Sequence, residues 1–134
     1  MRHESYSTTL PVLFLFLPQF TERIRKYEAA EQLYLQAIEI DKIALPENHP
    51  ERATHLNNLA NLYESQGKYE AAEQLYLQAL EIRKIALPEN NPDTAMTLWH
   101  LAVHYNNQRI FTSAESFYLK ALKIYIAVEA KIRT

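Results

Sequence analysis

His100 and His104 stand four residues apart, a spacing that puts two imidazoles on one helix face and could hold a divalent cation. Two ligands do not make a site. No Glu follows His100 to complete a His-Glu-x-x-His motif, and a third ligand would have to come from elsewhere, with His55 well upstream. Glu28, Glu31 and Glu39, which recur as Glu70, Glu73 and Glu81, have neighbouring Lys and Gln and read as solvated charge rather than acid/base pairs. The chain has no cysteine, so disulfides, thiolate zinc sites and thiol nucleophiles are excluded. No Gly-rich phosphate loop, nucleophile elbow or catalytic triad is present. Neither catalysis, nor a bound metal, nor a cofactor is expected.

The elements that carry these residues come from an internal repeat. Lys26 to Glu51 recurs 42 positions later as Lys68 to Asp93 with four changes: Ile38 to Leu80, Asp41 to Arg83, His49 to Asn91 and Glu51 to Asp93. A fixed period of this length signals an array whose units bury their apolar faces by stacking on their neighbours. The chain has 134 residues, about three such units. With 48% apolar and 22% charged residues it has a folded protein's composition. Lys plus Arg number 14 against 16 Asp plus Glu, for a net charge of −2 with the signs interspersed, so no basic stripe calls for nucleic acid or an anionic membrane.

The periodicity is helical. Tyr27, Ala30, Leu33, Tyr34, Ala37, Ile38 and Ile40 recur at three- and four-residue spacing, giving an amphipathic helix from about Arg25 to Leu45. Pro46-Glu-Asn-His-Pro50 stops it, because a proline disfavours helical geometry in its predecessor. Further helices are expected from about Glu51 to Gly67, Lys68 to Leu87, Asp93 to Gln108 and Thr112 to Lys131. Gly67, the only glycine, suits a helix end that needs positive φ. Thr112-Ser-Ala-Glu115 has the form of a capping box with Thr112 as the cap.

These residues carry a family resemblance. Leu56-x-x-Leu59-Ala60-x-x-Tyr63 followed by Ala72-x-x-x-Tyr76-x-x-Ala79 is similar to the tetratricopeptide repeat pattern. Leu98, Leu101, Ala102, Tyr105, Ala114, Tyr118 and Ala121 repeat it in register, and Ala30, Tyr34 and Ala37 supply the second half of an earlier unit. The 42-residue unit, with Leu56-Asn-Asn-Leu-Ala60 and Ala79-Leu-Glu-Ile-Arg-Lys84, resembles the kinesin light chain type of this repeat, although no heptad run supports a kinesin function. The resemblance implies an all-α, right-handed superhelical array of antiparallel helix-turn-helix units, about 25–50, 51–92 and 93–134. It also implies a concave groove, lined by the first helix of each unit, that receives a peptide or partner segment.

Mapped onto this chain, the groove positions are Thr54, Asn57, Asn58, Asn61, Glu64 and Ser65, then Met96, Trp99, His100, Val103, Asn106 and Asn107. Asn side chains can both donate to and accept from an extended peptide backbone. Trp99 and Met96 offer an apolar anchor beside them. The versions of the fold that clamp a terminal carboxylate use Lys and Arg on this face; here Asn, Val, Trp and His stand there, so a carboxylate clamp is not expected.

The ends differ from the array. Leu10-Pro-Val-Leu-Phe-Leu-Phe-Leu17 is too short an apolar run to span a bilayer, and its Arg2 and His3 resemble a signal peptide only weakly, with Glu4 among them and no small-x-small site after it. Residues 1–24 are expected to be a degenerate first helix, in which Phe14 and Leu17 keep the register of Leu56 and Leu59 while Pro18 leaves the helix short, kinked or irregular. At the other end Ile124, Tyr125, Ile126 and Val128 offer an apolar surface that invites self-association. A non-catalytic interaction module in the cytoplasm is the expectation. The alternatives are a structural, self-associating fragment of a longer scaffold or signalling protein and, for location, secretion.

Overall fold

A computed structural model describes the backbone of residues 2–134 and the side chains from Leu17 onward. The register of Phe14 with Leu56 and the signal-peptide reading of Arg2 and His3 rest on side chains outside the described residues. Five helices follow one another and no strand occurs among the described residues: α1 (Arg2–Ala44), α2 (Pro50–Ser65), α3 (Tyr69–Ala86), α4 (Pro92–Asn107) and α5 (Phe111–Arg133). The helices from α2 onward fall within about two residues of their expected limits. No described helix is long and apolar enough to cross a membrane.

Helix α1 differs from expectation. It runs through Pro18 without a break and without a turn near Arg25, where the register places the counterpart of the Gly67 turn. Proline withholds a single N–H from the ladder, and once a helix has nucleated each further residue on either side adds a bond, so the loss stays local. Lys26 pairs with Glu22 at 3.5 Å and the Thr21 hydroxyl donates to the Leu17 carbonyl at 2.8 Å, both one turn apart. The chain divides into two compact units at Leu33/Tyr34. In the first, Leu17, Phe20, Ile24 and Leu33 are all exposed.

The second unit, from Tyr34 to Thr134, holds two successive hairpins, α2 with α3 and α4 with α5, and α3 packs against α4. Its core is built from Ala60, Ala72, Tyr76, Leu80, Leu98, Leu101 and Ala121, with Tyr63, Leu75, Tyr105, Phe117 and Ile124 against them. The alanines are fully or almost fully buried, which lets helix backbones approach, and the aromatic rings fill what remains; Tyr105 and Phe117 stack with centroids 5.5 Å apart.

Local chemistry sets the turns. His49 Nδ1 accepts from the Glu51 N–H at 3.1 Å and Asn91 Oδ1 accepts from the Asp93 N–H at 2.8 Å, so the His-to-Asn change between copies preserves an N-cap acceptor ahead of Pro50 and Pro92 at N1. Within each hairpin the turn residue is left-handed: Gly67 at φ +76° and, 42 positions on, Arg109 at φ +62°. The same two bonds close both turns, Lys68 N–H to Tyr63 O at 2.8 Å and Gly67 N–H to Glu64 O at 3.0 Å, then Ile110 N–H to Tyr105 O at 2.9 Å and Arg109 N–H to Asn106 O at 3.0 Å. This is the Schellman arrangement. The expected capping box is absent: Ile110 is the N-cap of α5 with no side-chain bond, and Thr112 already lies inside the helix. The turn bonds fix where α5 starts, with its cap two residues before the threonine.

Candidate functional site

Helices α2 and α4, the first of each hairpin, touch each other along the face that carries the expected groove residues. Two side-chain links tie them. Asn57 Nδ2 lies 3.1 Å from His100 Nδ1, and the Glu64 carboxylate takes His104 Nδ1–H at 2.7 Å and Asn107 Nδ2–H at 3.1 Å. Burial, with the Arg83 charge behind it, pulls His100 below its ordinary value of 6.5, which favours the unprotonated ring that accepts from Asn57.

These links sort the expected residues. Asn57 is buried at 4% exposure and serves the α2–α4 junction rather than an open surface. Asn61 is half-buried, and its Oδ1 accepts the Tyr76 hydroxyl at 2.6 Å, so one half of its amide is spent inside the hairpin. Burial, and then the Glu64 charge, push the Tyr76 phenol well above its usual range, so this hydroxyl stays a donor. Thr54, Ser65, Asn106 and Asn107 are exposed, and Asn58, His100 and Val103 are half-buried. Met96 and Trp99 stand out at 44% and 48% exposure. Trp99 is braced edge-on against Tyr118 with centroids 4.8 Å apart and an interplanar angle of 64°. A large, half-exposed aromatic is suited to burying an apolar residue of a bound chain, and the amide side chains of α2 and α4 can pair with its backbone.

His104, read from sequence as partly buried in the register slot of Leu62, is fully buried. Its Nδ1–H donates to Glu64 while its Nε2 accepts from Gln108 at 2.8 Å, and the rings of Tyr69, Tyr76 and Tyr105 surround it. Such an imidazole is out of reach of a substrate. The described residues hold no group of three or more His, Asp or Glu placed to bind a metal ion.

Sequence reasoning missed a second network at the junctions between hairpins. Asp41 Oδ2 meets His55 Nδ1 at 2.5 Å, and at the same two positions one repeat later Arg83 donates to the Thr97 hydroxyl at 2.5 Å and to the Asp93 carbonyl at 3.0 Å. Asp41, Arg83 and Thr97 are buried. The signal was there: Asp41 to Arg83 is one of four changes in the duplicated stretch, and His55 to Thr97 is its partner just beyond it.

Residues 19–85 match the tetratricopeptide repeat family. Among solved structures the chain is similar to BtubC (BKLC) from P. vanneervenii, with 31% identity and a TM-score of 0.72 over 81% of this chain and 43% of that one. It is also similar to a putative kinesin light chain with nearly identical TPR-like repeats from Podosopora anserina, with 24% identity and a TM-score of 0.66 over 82% of this chain and 50% of that one. A point variant of the latter gives a TM-score of 0.65 over the same shares. The chain thus spans half or less of these relatives' length. No curated protein matches it.

Proposed function

Because the chain belongs to the tetratricopeptide repeat family, we propose that it is a non-catalytic interaction module that holds a peptide or partner segment on the α2–α4 face. The observation that carries this reading is Trp99: it is 48% exposed, and its ring rests edge-on against Tyr118. An indole already packed against a neighbour has less freedom to lose when a partner covers it, and tryptophans are enriched among the residues that dominate interface energetics. Asn58 and the Nδ2 group of Asn61 on α2 and Asn106 on α4 offer donors and acceptors for an extended backbone, and Met96 and Val103, one turn either side of Trp99, widen the apolar patch. The expected groove positions carry no Lys or Arg to select a terminal carboxylate, so the bound segment is internal and contributes an apolar side chain beside Trp99. A peptide array probed with wild type and with Asn58→Ala/Trp99→Ala tests the reading; an unchanged set of captured peptides contradicts it.

One observation favours the second reading, a structural, self-associating unit. Leu80 is 6% and Arg83 5% exposed under α4, whereas their register counterparts on α5, Leu122 and Tyr125, are 52% and 41% exposed. With Leu119 and Ile126 they form an apolar face of the kind that docks another helix. Light scattering on wild type and Leu122→Asp separates the readings. A clean monomer at tens of micromolar removes self-association, and a dimer lost in the variant supports it.

A further inference from the structure

A cleft of about 310 Å³ opens where the end of α1, the turn after it, the start of α2 and the side of α3 meet. It is lined by residues of α1, α2, α3 and the turn after α1 and by none of α4, which carries Trp99, and the groove reading does not depend on it. Its apolar wall is Ile38, Leu56 and Ile82. The rim is charged, and the charges are unequally occupied. Lys42 pairs with Glu39 at 3.0 Å, Arg52 donates to the Pro46 carbonyl at 3.3 Å, and Asp41 holds His55. Glu47 and Glu81, both exposed rim residues, have no hydrogen bond or ion pair among the described residues. Among the charged groups lining the cleft, Lys42 and Asp41 are paired and Arg52 meets one carbonyl, which leaves the two carboxylates of Glu47 and Glu81 in excess over the one guanidinium.

The next junction shows what such a space accommodates. One repeat on, Leu80, Arg83 and Leu98 stand where Ile38, Asp41 and Leu56 line the cleft; they are 6%, 5% and 4% exposed, while Ile38 and Leu56 are only half-buried. The chain supplies its own guanidinium there, its stem packed and its head on the Asp93 carbonyl and Thr97 hydroxyl. On the facing wall Gln78 and Glu81 are replaced in register by Lys120 and Lys123. The first junction has Asp41 and Glu81 where the second has the buried Arg83 and Lys123, while Glu47 recurs as Glu89.

We propose that the cleft binds an arginine side chain of a partner protein, its aliphatic stem against Ile38, Leu56 and Ile82 and its guanidinium toward Glu47 and Glu81. A planar fork of donors can serve two carboxylates at once, which a lysine ammonium does less well. The test is a methyl-NMR titration of the full chain with N-acetyl-arginine amide, N-acetyl-citrulline amide and N-acetyl-lysine amide. Saturable millimolar shifts at the Ile38 and Ile82 methyls are expected with the arginine probe and not with neutral citrulline. Glu47→Gln/Glu81→Gln, at two exposed positions, lowers the arginine affinity by about fivefold with the fold unchanged by circular dichroism. Asp41→Arg/His55→Thr, which copies the second junction into the first, removes the shifts. Equal shifts with citrulline, equal affinity for the lysine probe, or shifts centred elsewhere overturn the proposal, as does undiminished binding by the Glu47→Gln/Glu81→Gln chain.

Discussion

Arg83 and Thr97 meet at 2.5 Å across the α3–α4 junction, at the two positions where Asp41 and His55 meet at 2.5 Å one repeat earlier. Each pair is matched within itself and mismatched with the other, so the junctions are chemically distinct although the flanking sequence is nearly duplicated. Arg83→Asp puts a buried carboxylate beside the Asp93 carbonyl, and urea unfolding at neutral pH is expected to show a loss of about 2–4 kcal/mol. Adding Thr97→His rebuilds the first junction's pair and recovers about 1 kcal/mol or more. Purely additive effects would show that the two positions are not coupled.

The two left-handed turn residues make a simpler prediction. Arg109 at φ +62° bears a Cβ where glycine bears none, and a Cβ built on Gly67 meets nothing within 4 Å, so conformational strain alone separates the two sites. Arg109→Gly is expected to stabilise the chain by about 1 kcal/mol and Gly67→Ala to destabilise it by a similar amount, read from thermal melts.

His100 gives the fold a pH dependence of definite sign. Its pKa is lowered in the folded chain, first by burial and then by Arg83, from an ordinary value of 6.5. Below that value the unfolded chain takes up a proton that the folded one resists, so this site's contribution to stability falls as pH drops through about 6.5. In His100→Gln, which retains a side chain able to accept from Asn57, the decline in the urea midpoint between pH 7 and 5 is expected to be shallower than in wild type. Parallel declines would show that His100 contributes nothing to it.

Much of this could be read from the sequence. Apolar spacing and the Pro-Glu-Asn-x-Pro stops place four helices within about two residues, because periodicity and proline act locally. Sequence alone misplaces the cap on α5, since Thr112 offers a capping side chain but backbone bonds to Tyr105 and Asn106 decide where the helix begins. Among the groove residues, side-chain type alone does not separate Asn57, buried at the α2–α4 contact, from Asn58, one residue on and half-buried; their difference is a matter of which way each points once α4 is in place. Helix α1 runs on through Pro18 because a missing bond is a local loss within a long ladder.

Trp99 is the only tryptophan, so its emission reports directly on the proposed binding face. The decisive measurement is a fluorescence titration of the full chain with peptides captured on the array, repeated with Trp99→Ala by a label on the peptide. The groove account predicts a saturable change in Trp99 emission and an affinity at least about tenfold weaker in Trp99→Ala, a loss of about 1.4 kcal/mol or more. Peptides that bind with equal affinity to both chains, and leave the emission of Trp99 unchanged, would contradict it.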